Sequence, residues 1–177
     1  LMGIPFEFIQ KGLKNVTVPG RAEVVQTGTD FTVIIDYAHS PDSLENILTT
    51  VKGYAPARVI SLFGCGGDRD KTKRPIMGEI SGNLADFTII TSDNPRTEEP
   101  AEIIKDIEEG IQKTNSAYIT IVDRREAIKY AMQKARPRDI IVLAGKGHET
   151  YIMLNDKTIH FDEREVVREI LDGMNAN

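Results

Sequence analysis

Residues 87–96 are Phe87-Thr88-Ile89-Ile90-Thr91-Ser92-Asp93-Asn94-Pro95-Arg96, an apolar β-type run followed directly by a polar turn. The carboxyl ends of strands are where open α/β sheets bind their ligands. A guanidinium can bind a carboxylate through two hydrogen bonds, whereas Asp and Asn oxygens accept hydrogen bonds from an ammonium. The turn therefore has the groups needed to bind a small zwitterion. Asp, Asn and Pro are also ordinary turn residues, so a purely structural turn stays open on this stretch alone.

Strand-like and helical segments alternate along most of the chain. Between the strands, apolar residues recur at the spacing of a helix with one buried face, as in the stripe from Leu44 to Val51. Asp42 and Asp123 are the predicted N-caps of two of these helices. The predicted strands are nearly continuous in apolarity, and they are Phe31–Asp36, Arg58–Phe63, Phe87–Thr91, Tyr118–Val122 and Asp139–Leu143. The alternation predicts an α/β fold with a doubly wound, Rossmann-like and mostly parallel sheet.

The two ends of the chain depart from this alternation. Two strand-like runs, Tyr151–Leu154 and Lys157–Phe161, predict a C-terminal β-hairpin, and a helix is predicted to follow over Glu163–Leu171. Residues 1–20 contain a short helical pattern and a Pro-Gly break, and we interpret them as the tail of a preceding domain and a linker. Residues 21–177 then form one domain of ordinary size.

Composition limits the class of protein. A formal net charge of -5 at pH 7 argues against a general nucleic-acid-binding protein. The single cysteine, Cys65, excludes an internal disulfide framework and fits the reducing cytoplasm, and we predict that it serves packing. No apolar run approaches the ~18 residues of a membrane span. A basic run at residues 69–74, with its four Lys and Arg side chains, predicts a local anion site in an otherwise acidic chain, and a solvated helix start stays open as the alternative.

Charged and reactive side chains are concentrated directly after four of the predicted strands. The four loops are Asp36-Tyr37-Ala38-His39-Ser40-Pro41, Gly64-Cys65-Gly66-Gly67-Asp68-Arg69-Asp70-Lys71, Ser92-Asp93-Asn94-Pro95-Arg96 and Ala144-Gly145-Lys146-Gly147-His148-Glu149. In a parallel sheet these strand ends face the same way, so the loops are expected to converge on one crevice. Unrelated structural turns would not be expected to concentrate such residues along one edge. The sequence therefore predicts a ligand site there.

Neither glycine-rich loop is a nucleotide phosphate loop of the Walker A type. Asp70 occupies the position where that loop needs a glycine, and residues 145–148 lack both the spacing and the hydroxyl residue. The histidines, His39, His148 and His160, show no metal-binding spacing, and His160 is predicted to be structural. We therefore expect neither the main triphosphate site nor a metal site in this chain.

Five motifs, taken in order, resemble the C-terminal domain of the Mur ligases, and in particular that of the tripeptide synthetases among them. They are Pro19-Gly20-Arg21-Ala22-Glu23, Asp36-Tyr37-Ala38-His39-Ser40-Pro41, Gly64-Cys65-Gly66-Gly67-Asp68-Arg69-Asp70-Lys71, Asp93-Asn94-Pro95-Arg96 and Gly145-Lys146-Gly147-His148-Glu149. The resemblance covers residues 15–170. It implies a three-domain ligase in which a central domain carries the phosphate loop and this domain delivers the amino acid. The chain by itself is then expected to lack ligase activity.

The resemblance also implies a reaction in peptidoglycan precursor synthesis. Such a ligase uses ATP and Mg²⁺, bound mainly by the central domain, to join meso-diaminopimelate to UDP-MurNAc-L-Ala-D-Glu. ATP phosphorylates the side-chain carboxylate of D-Glu, the incoming amine attacks the acyl phosphate, and phosphate leaves. The physical requirement is neutralisation of the phosphate charge and alignment of the amine.

The resemblance also implies which residues bind the substrates, from their positions in the matching motifs. The residues matching the diaminopimelate site are Arg69, Asp93, Asn94, Pro95, Arg96, Gly145 and Glu149. Those matching the ATP site are Arg21 for a phosphate, Asp36 for the ribose, and His39 without a defined role. Glu149 would bind the distal ammonium of diaminopimelate, and Arg69 and Arg96 its distal carboxylate. Lysine lacks that carboxylate and would leave a buried arginine unpaired, which is costly.

Two alternatives stay open at this point. A lysine-adding or folylpolyglutamate-type ligase would share the architecture, although Arg96 disfavours lysine as the substrate. A non-enzymatic amino-acid-binding module would use the same crevice without catalysis. A Gly-Lys-Thr or Gly-Lys-Ser phosphate loop encoded upstream would indicate a ligase.

Overall fold

The computed structural model describes residues 18–175, and the helical pattern predicted near the start of the chain lies outside the described residues. Within 18–175 no helix is long and apolar enough to cross a membrane. The elements, in chain order, are β1 (Glu23–Val25), β2 (Thr32–Asp36), α1 (Pro41–Tyr54), β3 (Val59–Phe63), α2 (Lys73–Leu84), β4 (Phe87–Ile90), α3 (Pro100–Ile111), β5 (Tyr118–Thr120), α4 (Arg124–Lys134), β6 (Ile140–Ala144), β7 (Tyr151–Leu154), β8 (Lys157–His160) and α5 (Glu163–Asn175).

The central sheet has the strand order β1-β2-β6-β3-β4-β5. The strands β2, β6, β3, β4 and β5 are parallel, whereas β1 pairs antiparallel with β2. The predicted α/β fold with a mostly parallel sheet is confirmed, and all five predicted strands are present. The short strand β1 is absent from the sequence prediction, because three residues show no usable periodicity. β6 inserts between β2 and β3, so the strand order reverses there and opens a crevice at the carboxyl edge.

Helices cover both faces of the sheet. One face packs against α1, α2 and α3, and the other against α4 and α5. The predicted stripe from Leu44 to Val51 is buried against the first face, as its spacing requires. The helices α2 and α3 approach so closely that a Cβ atom on Gly110 would lie 1.7 Å from the carbonyl oxygen of Pro75. Only glycine fits at that contact.

The helix N-termini confirm one predicted cap and correct the other. Asp123 caps α4, because its side chain accepts a hydrogen bond from the N–H of Glu126 (2.9 Å). The prediction that Asp42 caps α1 is wrong. Ser40 is the cap: its hydroxyl accepts from the N–H of Ser43 (3.4 Å), and its own N–H donates to Oγ of Ser43 (3.0 Å). Asp42 lies in the first turn, where its charge favours the positive end of the helix dipole.

The predicted hairpin is formed by β7 and β8, and the last helix, α5, runs beyond its predicted end. The hairpin is connected to the turn that follows β4. The N–H of Arg96 donates to the carbonyl oxygen of Met153 (3.0 Å), and the N–H of Asn155 donates to the carbonyl oxygen of Arg96 (2.6 Å). Arg96 and Leu154 thereby form a parallel β-bridge, so β7 lies beside the polar turn at residues 92–96.

Candidate functional site

The four polar loops converge on one cleft at the carboxyl edge of the sheet, as the sequence predicts. The cleft has a volume of about 420 Å³. His39 lines it, whereas Arg21 and Asp36 do not, and Pro95 is buried outside its lining. The other predicted amino-acid-binding residues all line the cleft, and they are Arg69, Asp93, Asn94, Arg96, Gly145 and Glu149.

Two guanidinium groups, together with the ammonium of Lys73, form the basic part of the cleft. Arg96 adopts a left-handed backbone conformation (φ 52°), and its Nη1 donates to the carbonyl oxygen of Gly67 (2.7 Å). Arg69 is exposed, and its Nη1 donates to the carbonyl oxygen of Asp68 (3.3 Å). Neither forms an ion pair with any carboxylate of residues 18–175. Both therefore keep N–H donors for an anion in the cleft.

An amide and a carboxylate form the acidic part. Oδ1 of Asn94 accepts from the N–H of Met153 (3.0 Å) and from the ammonium of Lys146 (3.2 Å). The NH₂ end of that amide therefore faces Glu149 and donates to its Oε2 (2.9 Å). The other oxygen, Oε1, accepts no hydrogen bond from the described residues. The carboxylate is thus held in place with one oxygen open to the cleft.

Gly145 lets the loop after β6 approach the loop after β4. Its φ is 116°, a conformation that L side chains rarely adopt. A Cβ atom at this position would lie 2.7 Å from Oδ2 of Asp93. The glycine is therefore required by the close contact between these two cleft loops.

The predicted nucleotide contacts lie together around Tyr37. The guanidinium of Arg21 is 4.9 Å from the centre of the Tyr37 ring, and the rings of His39 and His148 lie 4.7 Å and 4.9 Å from it. Oδ2 of Asp36 accepts a hydrogen bond from the backbone N–H of the residue after Arg21 (2.7 Å). Burial raises the pKa of the Tyr37 hydroxyl above its ordinary value. The sequence motif contains Tyr37, but nothing in the sequence indicates this central position.

The basic run at residues 69–74 does not form the predicted anion site of four cations. The guanidinium of Arg74 is buried and pairs with Glu98 (2.9 Å) and Asp106 (2.8 Å). Lys71 also pairs with Glu98 (3.0 Å). Two of the four positive charges are therefore neutralised. Their partners lie far away in the sequence, so spacing within the run could not reveal the pairing.

Glu98 connects two of the cleft loops. Its Oε1 accepts a hydrogen bond from the N–H of Asp68 (2.7 Å), and both of its oxygens accept from Arg74 (2.9 and 3.0 Å). The hydrogen bonds from Arg74 lower the pKa of the Glu98 carboxyl from 4.5 to about 2. Because this pKa is depressed in the folded state, the resulting stability is fully present above pH 4.5. It is lost as the pH falls through about 2.

We expect Glu98→Gln to lower the free energy of unfolding by about 2 kcal/mol at pH 7, because charge-assisted hydrogen bonds are lost. The variant should also lose less stability than the wild type between pH 4.5 and 2, the window set by the two pKa values of Glu98. Urea unfolding at a series of pH values measures both effects. Glu99→Gln, at the exposed neighbouring position, is the control. An unchanged acid slope in Glu98→Gln would contradict the assignment.

Two further residues from the sequence analysis make no polar contact in the cleft. Cys65 lines the cleft but belongs to the hydrophobic core, with its Sγ 3.8 Å from Sδ of Met77, which confirms a packing role. Burial raises the pKa of its thiol to about 12. His160 is exposed on β8 and pairs with Glu165 (2.6 Å). Among residues 18–175 no group of three or more His, Cys, Asp or Glu side chains could hold a metal ion.

The sequence profile described as "Mur ligase, glutamate ligase domain" matches residues 20–147. The chain belongs to the Mur ligase family. The resemblance of its motifs to the C-terminal domain of these ligases is confirmed.

Several similar proteins are diaminopimelate ligases. The UDP-N-acetylmuramoyl-L-alanyl-D-glutamate--2,6-diaminopimelate ligase of Caldanaerobacter subterraneus subsp. tengcongensis is 59% identical over 170 residues, which are 96% of this chain and 35% of that protein. The enzyme of the same name from Clostridium botulinum is 56% identical over 174 residues, 97% of this chain and 36% of that protein. This Mur ligase chain thus spans about a third of the length of the curated relatives it matches.

Two solved structures share the fold of this chain. A structure of a UDP-N-acetylmuramoyl-L-alanyl-D-glutamate--2,6-diaminopimelate ligase is 41% identical with a TM-score of 0.84, covering 92% of this chain and 33% of that one. The bifunctional folylpolyglutamate synthase/dihydrofolate synthase from Yersinia pestis CO92 has a TM-score of 0.65 at 18% identity, covering 98% and 35%. At that identity the second comparison shows a common fold alone.

Proposed function

We propose that this chain is the amino-acid-binding domain of a complete, cytoplasmic ligase that adds meso-diaminopimelate to UDP-MurNAc-L-Ala-D-Glu. One observation carries the proposal: the guanidinium of Arg96 lies in the cleft and pairs with no carboxylate of residues 18–175. Such a group keeps N–H donors with which it can bind a carboxylate of the ligand. The names of the relatives support the same substrate.

The two parts of the cleft match the distal end of diaminopimelate. Its distal centre carries a carboxylate and an ammonium. Arg69 and Arg96 would bind the carboxylate, and the open oxygen of Glu149 would bind the ammonium. With its distal end bound in this way, the substrate would direct its reacting amine out of the cleft. Asp93, Asn94, Pro95 and Gly145 complete the proposed site as the residues that shape these contacts.

In the proposed reaction, this domain contributes binding and orientation. The D-Glu carboxylate oxygen attacks the γ-phosphorus of ATP, and ADP leaves. The amine nitrogen of diaminopimelate then attacks the acyl carbon, so that a C–N bond forms and the C–O bond to phosphate breaks. The amine loses a proton and phosphate departs. Holding the amine in line with the acyl carbon lowers the entropic part of the barrier.

The proposed ATP contacts of this chain are peripheral. Arg21 is exposed and could reach a phosphate, and Asp36, which accepts from the N–H of the residue after Arg21, would bind the ribose. His39 lies beside Tyr37 in the same motif, without a defined role. We assign the phosphate loop and Mg²⁺ to a central domain, with residues 1–20 as its tail and linker and residues 21–177 as this domain. A structure of a folylpolyglutamate synthase/dihydrofolate synthase, of similar fold, has Mn, AMPPNP and L-glutamate bound.

A substrate comparison tests the proposed function. The complete ligase is assayed for phosphate release with meso-diaminopimelate and with L-lysine at equal concentrations. We expect kcat/KM for diaminopimelate to exceed that for lysine by about a thousandfold or more, because lysine has no distal carboxylate to pair with the guanidinium groups that line the cleft. Comparable rates would refute the carboxylate assignment in favour of a lysine-adding ligase. Binding of the amino acid without ligation would favour a binding module.

A further inference from the structure

A fully buried lysine lies beneath the candidate site. The side chain of Lys146 has no exposed surface, although lysine is rarely buried completely. Its three N–H groups meet three acceptors, the carbonyl oxygen of Tyr151 (2.7 Å), Oδ1 of Asn94 (3.2 Å) and Oδ1 of Asp93 (3.3 Å). Oε2 of Glu149 lies 3.6 Å from the same nitrogen. This complete set of partners offsets the cost of removing the ammonium from water.

Lys146 does not line the cleft. Gly145 and Gly147 flank it with φ angles of 116° and 54°, backbone conformations that L side chains rarely adopt. The pair of flanking glycines is the one sequence signal that could have indicated the buried side chain. Since the ammonium is covered, it can act on a ligand through its neighbours alone.

The contacts of Lys146 determine how the neighbouring amide is oriented. Oδ1 of Asn94 accepts from both Lys146 and the N–H of Met153, so its NH₂ group must point the other way. That group donates to Oε2 of Glu149 (2.9 Å). One carboxylate oxygen is therefore occupied, and the other accepts no hydrogen bond from residues 18–175, although Glu149 lines the cleft. The charge of Lys146 also compensates two carboxylates that lie close together, those of Asp93 and Glu149.

We propose that Lys146 is a positioning residue that fixes Asn94 and Glu149 in the orientation that binds the distal ammonium of the substrate. The inference rests on the proposed function. Without this lysine, Asp93 and Glu149 repel each other with no cation between them, and Oδ1 of Asn94 keeps the N–H of Met153 as its single donor. The carboxylate of Glu149 then leaves its place in the cleft, and the affinity for the amino acid falls.

Steady-state kinetics of Lys146→Met in the complete ligase test this role. We expect KM for diaminopimelate to rise about tenfold or more, because a buried charged partner is lost. The values of kcat and of KM for ATP should stay within about twofold, since the lost contact concerns amino-acid binding. Lys157→Met, at an exposed position on β8, is the matched control and should change none of the three constants.

A double-mutant cycle with Glu149→Gln separates positioning from a general structural role. If Lys146 acts through Glu149, Lys146→Met should raise KM for diaminopimelate much less in the Glu149→Gln background than in the wild type. Independent effects, or an equal rise in KM for ATP, would overturn the inference. Lys146→Gln keeps two donors, and it replaces Lys146→Met in the same cycle if that variant does not fold. Failure of the wild type to use diaminopimelate would instead refute the proposed function.

Discussion

Replacing Arg96 by alanine should lower kcat/KM for meso-diaminopimelate in the complete ligase about a hundredfold or more. The substitution removes the charge-assisted hydrogen bonds that we assign to the distal carboxylate, and each such bond contributes about 1.5–3 kcal/mol. Most of the loss should appear as a higher KM. Arg96→Lys keeps the charge but loses the planar fork, so we expect an intermediate value. Initial rates of phosphate release over a range of diaminopimelate concentrations measure the effect.

The backbone at this position needs its own control, because Arg96 has a φ of 52° and alanine is strained there. Arg138 offers a matched comparison, since it is exposed and also left-handed, with a φ of 72°. Arg138→Ala should leave the kinetics unchanged while carrying a similar backbone penalty. Equal kinetics for Arg96→Ala and the wild type would rule out the proposed role of Arg96.

The second large effect concerns stability. Arg124→Met should lower the free energy of unfolding of the chain by about 4 kcal/mol, because removal of one partner leaves a buried charge uncompensated. Arg124 and Glu163 are both fully buried and lie 2.8 Å apart. The guanidinium also donates to the carbonyl oxygens of Ser92 (3.2 Å) and Ala144 (2.8 Å), which begin two of the cleft loops. Urea unfolding followed by circular dichroism gives the free energy.

Burial raises the pKa of the Glu163 carboxyl, so the charged form of this group is less favourable here than in water. Removing one partner of the Arg124–Glu163 ion pair is therefore costly, but the intact pair stabilises the fold little more than an apolar pair of the same size would. We therefore expect Arg124→Met combined with Glu163→Leu to recover much of the stability lost by Arg124→Met. Arg125→Met is the control, since its ion pair with Glu169 is exposed and should contribute less than about 1 kcal/mol. Equal losses for Arg124→Met and Arg125→Met would disprove the prediction.

Local patterns were sufficient to predict the layout of the fold. The parallel strands consist of apolar runs that are buried on both faces, and the helices carry stripes such as that ending at Val51. Because parallel strands end on the same edge, the convergence of the four polar loops followed from strand order and direction alone. The Ser40 cap was also accessible from the sequence, since Pro41 is a typical first residue of a helix.

Pairing between distant residues could not be predicted. Whether Arg74 is free or neutralised depends on Glu98 and Asp106, which reach it only after α2 and α3 have packed together. The burial of Lys146 likewise depends on acceptors from Asp93 and Asn94, which lie 53 and 52 residues away in the sequence. A single sequence contains the donors and acceptors of the site, but their partners are set by tertiary packing.

The bridge between Arg96 and Leu154 has a consequence for engineering substrate choice. The turn at residues 92–96 takes its shape in part from the hairpin β7–β8, through backbone hydrogen bonds at Met153 and Asn155. A turn transplanted alone from a ligase with another substrate would lack the hairpin with which it forms these backbone hydrogen bonds. We therefore expect that changing the substrate specificity needs the turn and the hairpin to be exchanged together.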